Sequence, residues 1–190
     1  MNERDIIAYI NTLAPATAPG LIAGIGDDCA VIDRDGHHVW LLTLDTLIES
    51  VHFDCAFHPP ELLGRKAVSV NVSDIGAMGG QPRFALLSVG MPPGFNAAWF
   101  QAFAQGLAAA CRDYGCLLIG GDTVASPQGL NFSLTLIGEA LGERVVYRRG
   151  AQVGDTIWVS GPLGWAAPGL ALLQRGIGRD NEPFLPLLER

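Results

Sequence analysis

Ile6, Ile7, Ile10 and Leu13 recur at the spacing of one helical face, so the chain opens on a predicted helix that stops before Pro15. A loop containing Gly and Pro follows. Residues 29–33 and 38–44 are β-rich runs flanking Arg34-Asp35-Gly36-His37, and the Asp-Gly pair predicts a hairpin whose second strand leads into Asp45. After Pro59-Pro60, residues 61–78 place Leu63, Ala67, Val70, Asp74 and Met78 within reach of one helical face, with Gly79-Gly80-Gln81-Pro82 as the stop. That face is apolar at one end and acidic further along. Residues 84–89 predict a strand, 97–114 a helix rich in Ala and Phe, 117–119 a short buried strand and 130–140 another strand. Strands and helices thus interleave around a sheet, an α/β (α+β) pattern. Residues 142–154 are charged and turn-prone, after which 156–160 predict a strand and 164–174 a helix. The expected boundary lies near residue 145, with 1–145 as one domain and 146–190 as the start of an incomplete second one.

Composition narrows the partners. Hydrophobic residues make up 49% of the chain and charged residues 16%, so a thinly charged surface with some apolar area covered by self-association is expected. Twelve Lys and Arg against nineteen Asp and Glu leave a formal charge of −7. No basic run is present to neutralise a row of phosphates, which excludes nucleic acid as a natural partner. Met1-Asn2-Glu3-Arg4-Asp5 carries acids where an export signal carries bases, and apolar runs break before the roughly 18 residues of a membrane span. A cytoplasmic protein without a membrane segment is the expectation. Cys29, Cys55, Cys111 and Cys116 form no C-x-x-C pair and are expected as free buried thiols.

The carboxylates carry the chemistry. Gly24-Ile25-Gly26-Asp27-Asp28, Leu42-Thr43-Leu44-Asp45-Thr46, Asn71-Val72-Ser73-Asp74 and Gly120-Gly121-Asp122-Thr123 each set an Asp at the end of, or within, an apolar element. An ionised carboxylate buried without a partner costs several kcal/mol, and few Lys or Arg stand nearby in sequence. A shared hard cation with oxygen ligands, as Mg²⁺ is held in phosphoryl-transfer sites, resolves that cost. Gly24, Gly26, Gly120 and Gly121 let backbone amides approach an anion closely. Singly, each piece also reads as an N-cap, a turn or a bend. No G-x-x-x-x-G-K-[ST] loop occurs and Gly24-Ile25-Gly26 lacks the third glycine of G-x-G-x-x-G, so the P-loop, protein-kinase and Rossmann readings are disfavoured.

The strings GIGDDCAV (24–31), TLDTLIESVHF (43–53), GRKAVSVNVSDIGAMGGQP (64–82), LIGGDT (118–123) and RRGAQVGDTIWVSGPLG (148–164) resemble the thiamine-monophosphate kinase family. Any one string alone points only to the wider superfamily that includes aminoimidazole ribonucleotide synthetase and selenophosphate synthetase. The resemblance implies an N-terminal domain of the aminoimidazole ribonucleotide synthetase type. In that domain a four-stranded mixed sheet with helices on one face pairs across a homodimer into a β-barrel. It implies ATP plus thiamine monophosphate giving ADP plus thiamine diphosphate, with ATP at the domain junction. It also implies that Asp28, Thr43, Asp45, Asp74 and Asp122 contact Mg²⁺, with the backbone of Leu44 as an addition and Asp27 as a further ligand or orienting group. Tyr114, Gly121, Asp122 and Arg148 fall at ATP contacts, and His52 at the contact to thiamine monophosphate. Ser50 stands where the family usually has Gly, and Gly76 and Gly80 where it has Ala. The acidic and Gly-rich motifs of the family's second domain are absent from these residues.

Local readings compete with those roles. A lone His after a β-rich run is commonly structural, and Tyr114 at a helix end suits a ring with one wet edge. His37, His38 and His58 read as solvated, and Lys66 as a solvated helix position. Trp99, Phe100 and Phe103 read as core or dimer surface. Two rival functions stand beside the kinase: another ATP-using member of the superfamily such as selenophosphate synthetase, and a non-catalytic nucleotide-binding or dimerisation fragment.

Overall fold

Alternation of buried and more open positions along the strands of residues 38–48 and 131–141 organises the protein. The structure is a computed structural model describing residues 1–14 and 17–178; the expected stop at Pro15 and the last part of the expected second domain lie outside the described residues. Helix α1 (Glu3–Leu13) begins with a reciprocal cap, the Asn2 amide donating to Asp5 Oδ2 and the Asp5 amide to Asn2 Oδ1, both at 3.0 Å. Its apolar stripe is real, but none of its residues is buried.

Strands β1 (Leu21–Ala23), β2 (Ala30–Asp33) and β3 (His38–Ile48) form an antiparallel run. The hairpin turn between β2 and β3 is built as the Asp-Gly pair predicts: Gly36 has φ +81°, and Asp35 Oδ1 accepts the amides of His37 and His38 at 3.0 and 2.7 Å. Those donors hold the Asp35 carboxyl down at about 2. His38 begins β3 and its ring meets Asp35 at 3.1 Å, so it is less free than the turn reading implied. Helix α2 (Pro60–Ala77), β4 (Gln81–Met91), helix α3 (Ala97–Tyr114), β5 (Leu117–Ala125), β6 (Asn131–Leu141) and a short helix α4 (Ala166–Gln174) follow. Asn96 caps α3 through the amides of Ala98 and Trp99. Gly115, at φ +71°, closes it, with the Cys116 amide reaching Cys111 O at 2.9 Å.

The strand order is β1-β2-β3-β6-β4-β5, with β4 and β5 parallel and the other pairs antiparallel. The mixed sheet with helices on one face is as expected, but it has six strands instead of four. Three further differences stand out. Strand β1 lies where a loop was expected. Residues 117–119 open a longer strand that is exposed throughout, because β5 is the sheet edge and its outward face is uncovered. Residues 156–160 form no strand: the consecutive apolar residues Ile157, Trp158 and Val159 find no partner strand among the described residues, and all three are exposed.

The core lies between the sheet and α2 with α3. Val39 and Leu41 of β3 and Phe132, Leu134 and Leu136 of β6 face Leu63, Val68 and Ile75 of α2 and Phe103 of α3, all essentially inaccessible. Phe103 stacks on Phe132 with ring centroids 4.1 Å apart. The opposite face stays open and carries Leu44, Ile48, Leu86 and Leu117, all exposed. No helix among the described residues is long and apolar enough to cross a membrane.

Two glycines set how closely α2 and α3 pack. A Cβ on Gly64 would lie 2.1 Å from Phe103 O, and one on Gly106 would lie 2.0 Å from Glu61 O. Gly106→Ala is expected to cost about 2 kcal/mol or more, because backbone must move. Gly76→Ala, where nothing lies within 4 Å, is expected to add about 0.5–1 kcal/mol by restricting the unfolded chain. Urea unfolding of both variants measures the contrast, and equal shifts would refute the close-approach account.

Candidate functional site

The inner face of β3 changes character midway. Val39 and Leu41 lie in the core, and the next inward positions are Thr43, which is buried, and Asp45, which is half-buried. Thr43 Oγ1 donates to Asp74 Oδ2 at 2.6 Å, tying the strand to α2. Burial first, and then the charge of Asp74, hold the Asp45 carboxyl above the ordinary carboxylate range, with His52 acting in the opposite direction. Leu44 turns its side chain to the open face. One helical turn before Asp74, Asn71 is fully buried; its Nδ2 donates to Ala67 O at 3.1 Å, while its Oδ1 has no hydrogen-bond partner among the described residues.

Asp27 and Asp28, at the entry to β2, join the same neighbourhood. Asp28 is ion-paired with the Arg148 guanidinium, and the Arg148 amide donates to Asp27 Oδ2 at 3.2 Å. The Asp28 amide donates to Asp27 Oδ1 at 3.1 Å. Buried Cys29 reports the convergence: burial, then the charges of Asp74, Asp28 and Asp27, push its thiol up to about 12. The Asp28 hydrogen bond and charge, then Asp27 and Asp74, raise the Arg148 guanidinium in turn. Asp27, Asp28, Asp45, Asp74 and Thr43 therefore form one connected neighbourhood with Arg148.

Gly121 and Asp122 do not join it. A Cβ on Gly121 would lie 1.8 Å from Leu87 O, so the glycine serves the close approach of β5 to β4. Asp122 is paired with Ser88, Ser88 with Ser133 and Ser133 with Thr46, a row on the open face of the sheet. Asp45 faces the helices instead. Three strand spacings, about 14 Å, also separate β5 from β3. The Asp122 carboxylate accepts the Thr123 amide at 2.9 Å. Carboxylate couplings thus link several acids, yet no group of three or more His, Cys, Asp or Glu is arranged to hold a metal ion among the described residues. Arg148 holds Asp27 and Asp28, and Thr43 holds Asp74.

A cleft of about 910 Å³ opens beside the end of β3, between the start of α2 and α4. His52 lines it. The Ile48 amide donates to His52 Nδ1 at 3.0 Å, and Lys66 Nζ donates to His52 O at 2.6 Å. Ser50, at φ +64°, bends the turn there in a conformation that favours glycine. Ser69 lines the cleft and bonds Tyr114 Oη at 3.0 Å, while Arg65, paired with Asp113 at 2.6 Å, covers the Tyr114 ring. Tyr114 therefore belongs to the cleft side. Sequence reading placed Lys66 and His58 in solvent, whereas both line the cleft. The missed signal is the spacing of Leu62, Lys66 and Ser69, which marks a second face of α2.

The chain is thus an α/β domain, a sheet layered under helices with an acidic neighbourhood along β3 and α2 and a cleft beside it. Residues 26–140 match the family described as AIR synthase related protein, N-terminal domain, and the chain belongs to that family. It is 41% identical to the thiamine-monophosphate kinase of Aquifex aeolicus (strain VF5), over 87% of this chain and 53% of that protein. It is 36% identical to that of Bacillus subtilis (strain 168), over 95% of this chain and 55% of that protein. Among solved structures, AaThiL complexed with AMPPCP and TMP superposes with a TM-score of 0.82 at 39% identity, covering 92% of this chain and 53% of that one. The chain thus spans about half the length of the curated relatives it matches.

Because Arg148 neutralises this neighbourhood, Arg148→Met is expected to tighten Mn²⁺ binding by about 5-fold, the worth of one contact charge in a water-like dielectric. Manganese titration followed by electron paramagnetic resonance reads this directly. Unchanged or weaker binding would show that Asp27 and Asp28 are not cation-seeking.

Proposed function

We propose that the protein carrying this chain is an ATP-dependent kinase that phosphorylates thiamine monophosphate, yielding ADP and thiamine diphosphate. Residues 1–145 supply its nucleotide- and magnesium-binding domain, and 146–190 open a second domain. The observation that carries this reading is the convergence of Asp27, Asp28 and Asp74 on Cys29, with Asp45 linked to Asp74 and to the cleft residue His52. Similarity to thiamine-monophosphate kinases, and to a structure holding AMPPCP and TMP, supports the choice of substrates.

The donor set suits a hard cation. Carboxylates of Asp27, Asp28, Asp45 and Asp74 and the Thr43 hydroxyl are all oxygen donors, and Asp45 already bears the repulsion of Asp74. These side chains, with the Leu44 backbone, would hold Mg²⁺. When bound, magnesium supplies charge screening between the two phosphate groups and orients them for in-line transfer. The chain's own residues provide the frame: Thr43 fixes Asp74, Arg148 orders Asp27 and Asp28, and the Ile48 amide orients the His52 ring. An acceptor that is itself a phosphate monoester is largely ionised near neutral pH, so a general base matters less than screening.

Asp122 stands on the open, partly apolar sheet face, the surface this reading gives to a second copy of the chain in a cytoplasmic homodimer, with Gly121 beside it in the same strand. The rival reading is a non-catalytic nucleotide-binding fragment, favoured by the Asp28–Arg148 pair taking the place of a cation.

Incubating the full protein with ATP, Mg²⁺ and thiamine monophosphate is expected to give thiamine diphosphate by chromatography. Asp74→Asn is expected to lower turnover by roughly 100-fold or more. Wild-type turnover in that variant would remove Asp74 from the metal site, and nucleotide binding without product would favour the rival.

A further inference from the structure

We propose that Lys66 is the anion-recognition residue of the His52 cleft and makes it prefer an acceptor bearing a phosphate monoester over the same molecule without the phosphate. The identity of the acceptor rests on the kinase reading above; the recognition of a phosphate does not.

Four arginines of the chain are already matched. Arg34 and Arg83 share Glu139, Arg65 is paired with Asp113, and Arg148 with Asp28. Lys66 forms no ion pair among the described residues, although it is half-buried and lines the cleft. Burial alone holds its ammonium below the usual lysine range. Asp54 lines the same cleft, but its carboxylate accepts the Ala56 amide at 2.8 Å and forms no ion pair among the described residues. A partly desolvated cation facing a cavity is stabilised by an incoming anion.

The donor count agrees. An ammonium carries three donors, and the Lys66 bond to His52 O is the one hydrogen bond it makes among the described residues. His52 Nδ1 accepts from the Ile48 amide, so the neutral ring carries its proton on Nε2 and donates from there. Ammonium and imidazole N–H are thus anchored together on one turn, a pairing that fits the several acceptor oxygens of a phosphate monoester. Phe57, Leu62, Leu170 and Leu173 supply apolar wall for the body of the molecule.

Three variants separate charge from structure. Lys66→Gln keeps a donor for His52 O and removes the charge, Lys66→Arg restores the charge, and Lys66→Met removes both. Calorimetry on each, with thiamine monophosphate, thiamine and inorganic phosphate as probes, is expected to show thiamine monophosphate and phosphate weakened by about 10- to 100-fold in Lys66→Gln and Lys66→Met. Thiamine binding stays unchanged, and Lys66→Arg recovers most of the loss. Equal weakening of thiamine and its phosphate, no change in Lys66→Gln, or no phosphate binding by the parent chain would overturn the proposal. Lys66-dependent phosphate binding in a protein that makes no thiamine diphosphate would sink the kinase reading and leave this one standing. Turnover with no dependence on Lys66 would do the reverse.

Discussion

One strand serves both the core and the chemistry, and it does so on a single face. Along β3, a two-residue period sends Val39, Leu41, Thr43, Asp45 and Leu47 toward α2, so the apolar interior and the acids share one surface. An ionised group there needs a partner, because leaving it unmatched costs several kcal/mol. Asp74 finds one in the buried Thr43 hydroxyl, and Asp45 stays half-buried between buried Thr43 and buried Leu47, close to the His52 turn. The polar pair Thr43 and Asp45 thus interrupts an apolar face that resumes at Leu47.

The bonds around the acids differ in strength in a useful order. The Thr43–Asp74 bond joins a buried hydroxyl to a half-buried carboxylate on a second element, and its loss would strand a polar atom near the core. The Asp28–Arg148 pair is largely exposed on the arginine side, and exposed ion pairs contribute at most about 1 kcal/mol. A frame of firm bonds around one readily exchanged pair is what a site needs if an arriving ligand is to replace a protein contact without unfolding its surroundings.

Much of this was legible in the residues. The period of residues 97–114 marked α3 from end to end, the Asp-Gly turn marked the β2–β3 hairpin, and the spacing to Asp74 put that acid on the core-facing side of α2. Asp122 shows the limit. Its motif is clear in sequence, but its face depends on register with β4, and a bulge between Ala85 and Leu86 shifts that register before Ser88. No local pattern records such a shift. Lys66 was misread for a related reason: α2 has two working faces, and the apolar face obscured the second, shorter one.

Helix α2 joins the two halves of the site. Asp74 belongs to the acidic neighbourhood and Lys66 to the cleft, and at about 1.5 Å rise per residue they stand about 12 Å apart along one axis. That axis is held against α3 by backbone contact at Gly64 and Gly106, where not even a methyl group fits. A helix so placed cannot slide or roll by small steps, because any displacement meets carbonyl oxygens before it meets flexible side chains. The separation of Asp74 and Lys66 is set by the helix that carries both, and the contacts at Gly64 and Gly106 set where that helix lies against α3, which makes two glycines part of what sets the geometry of the site.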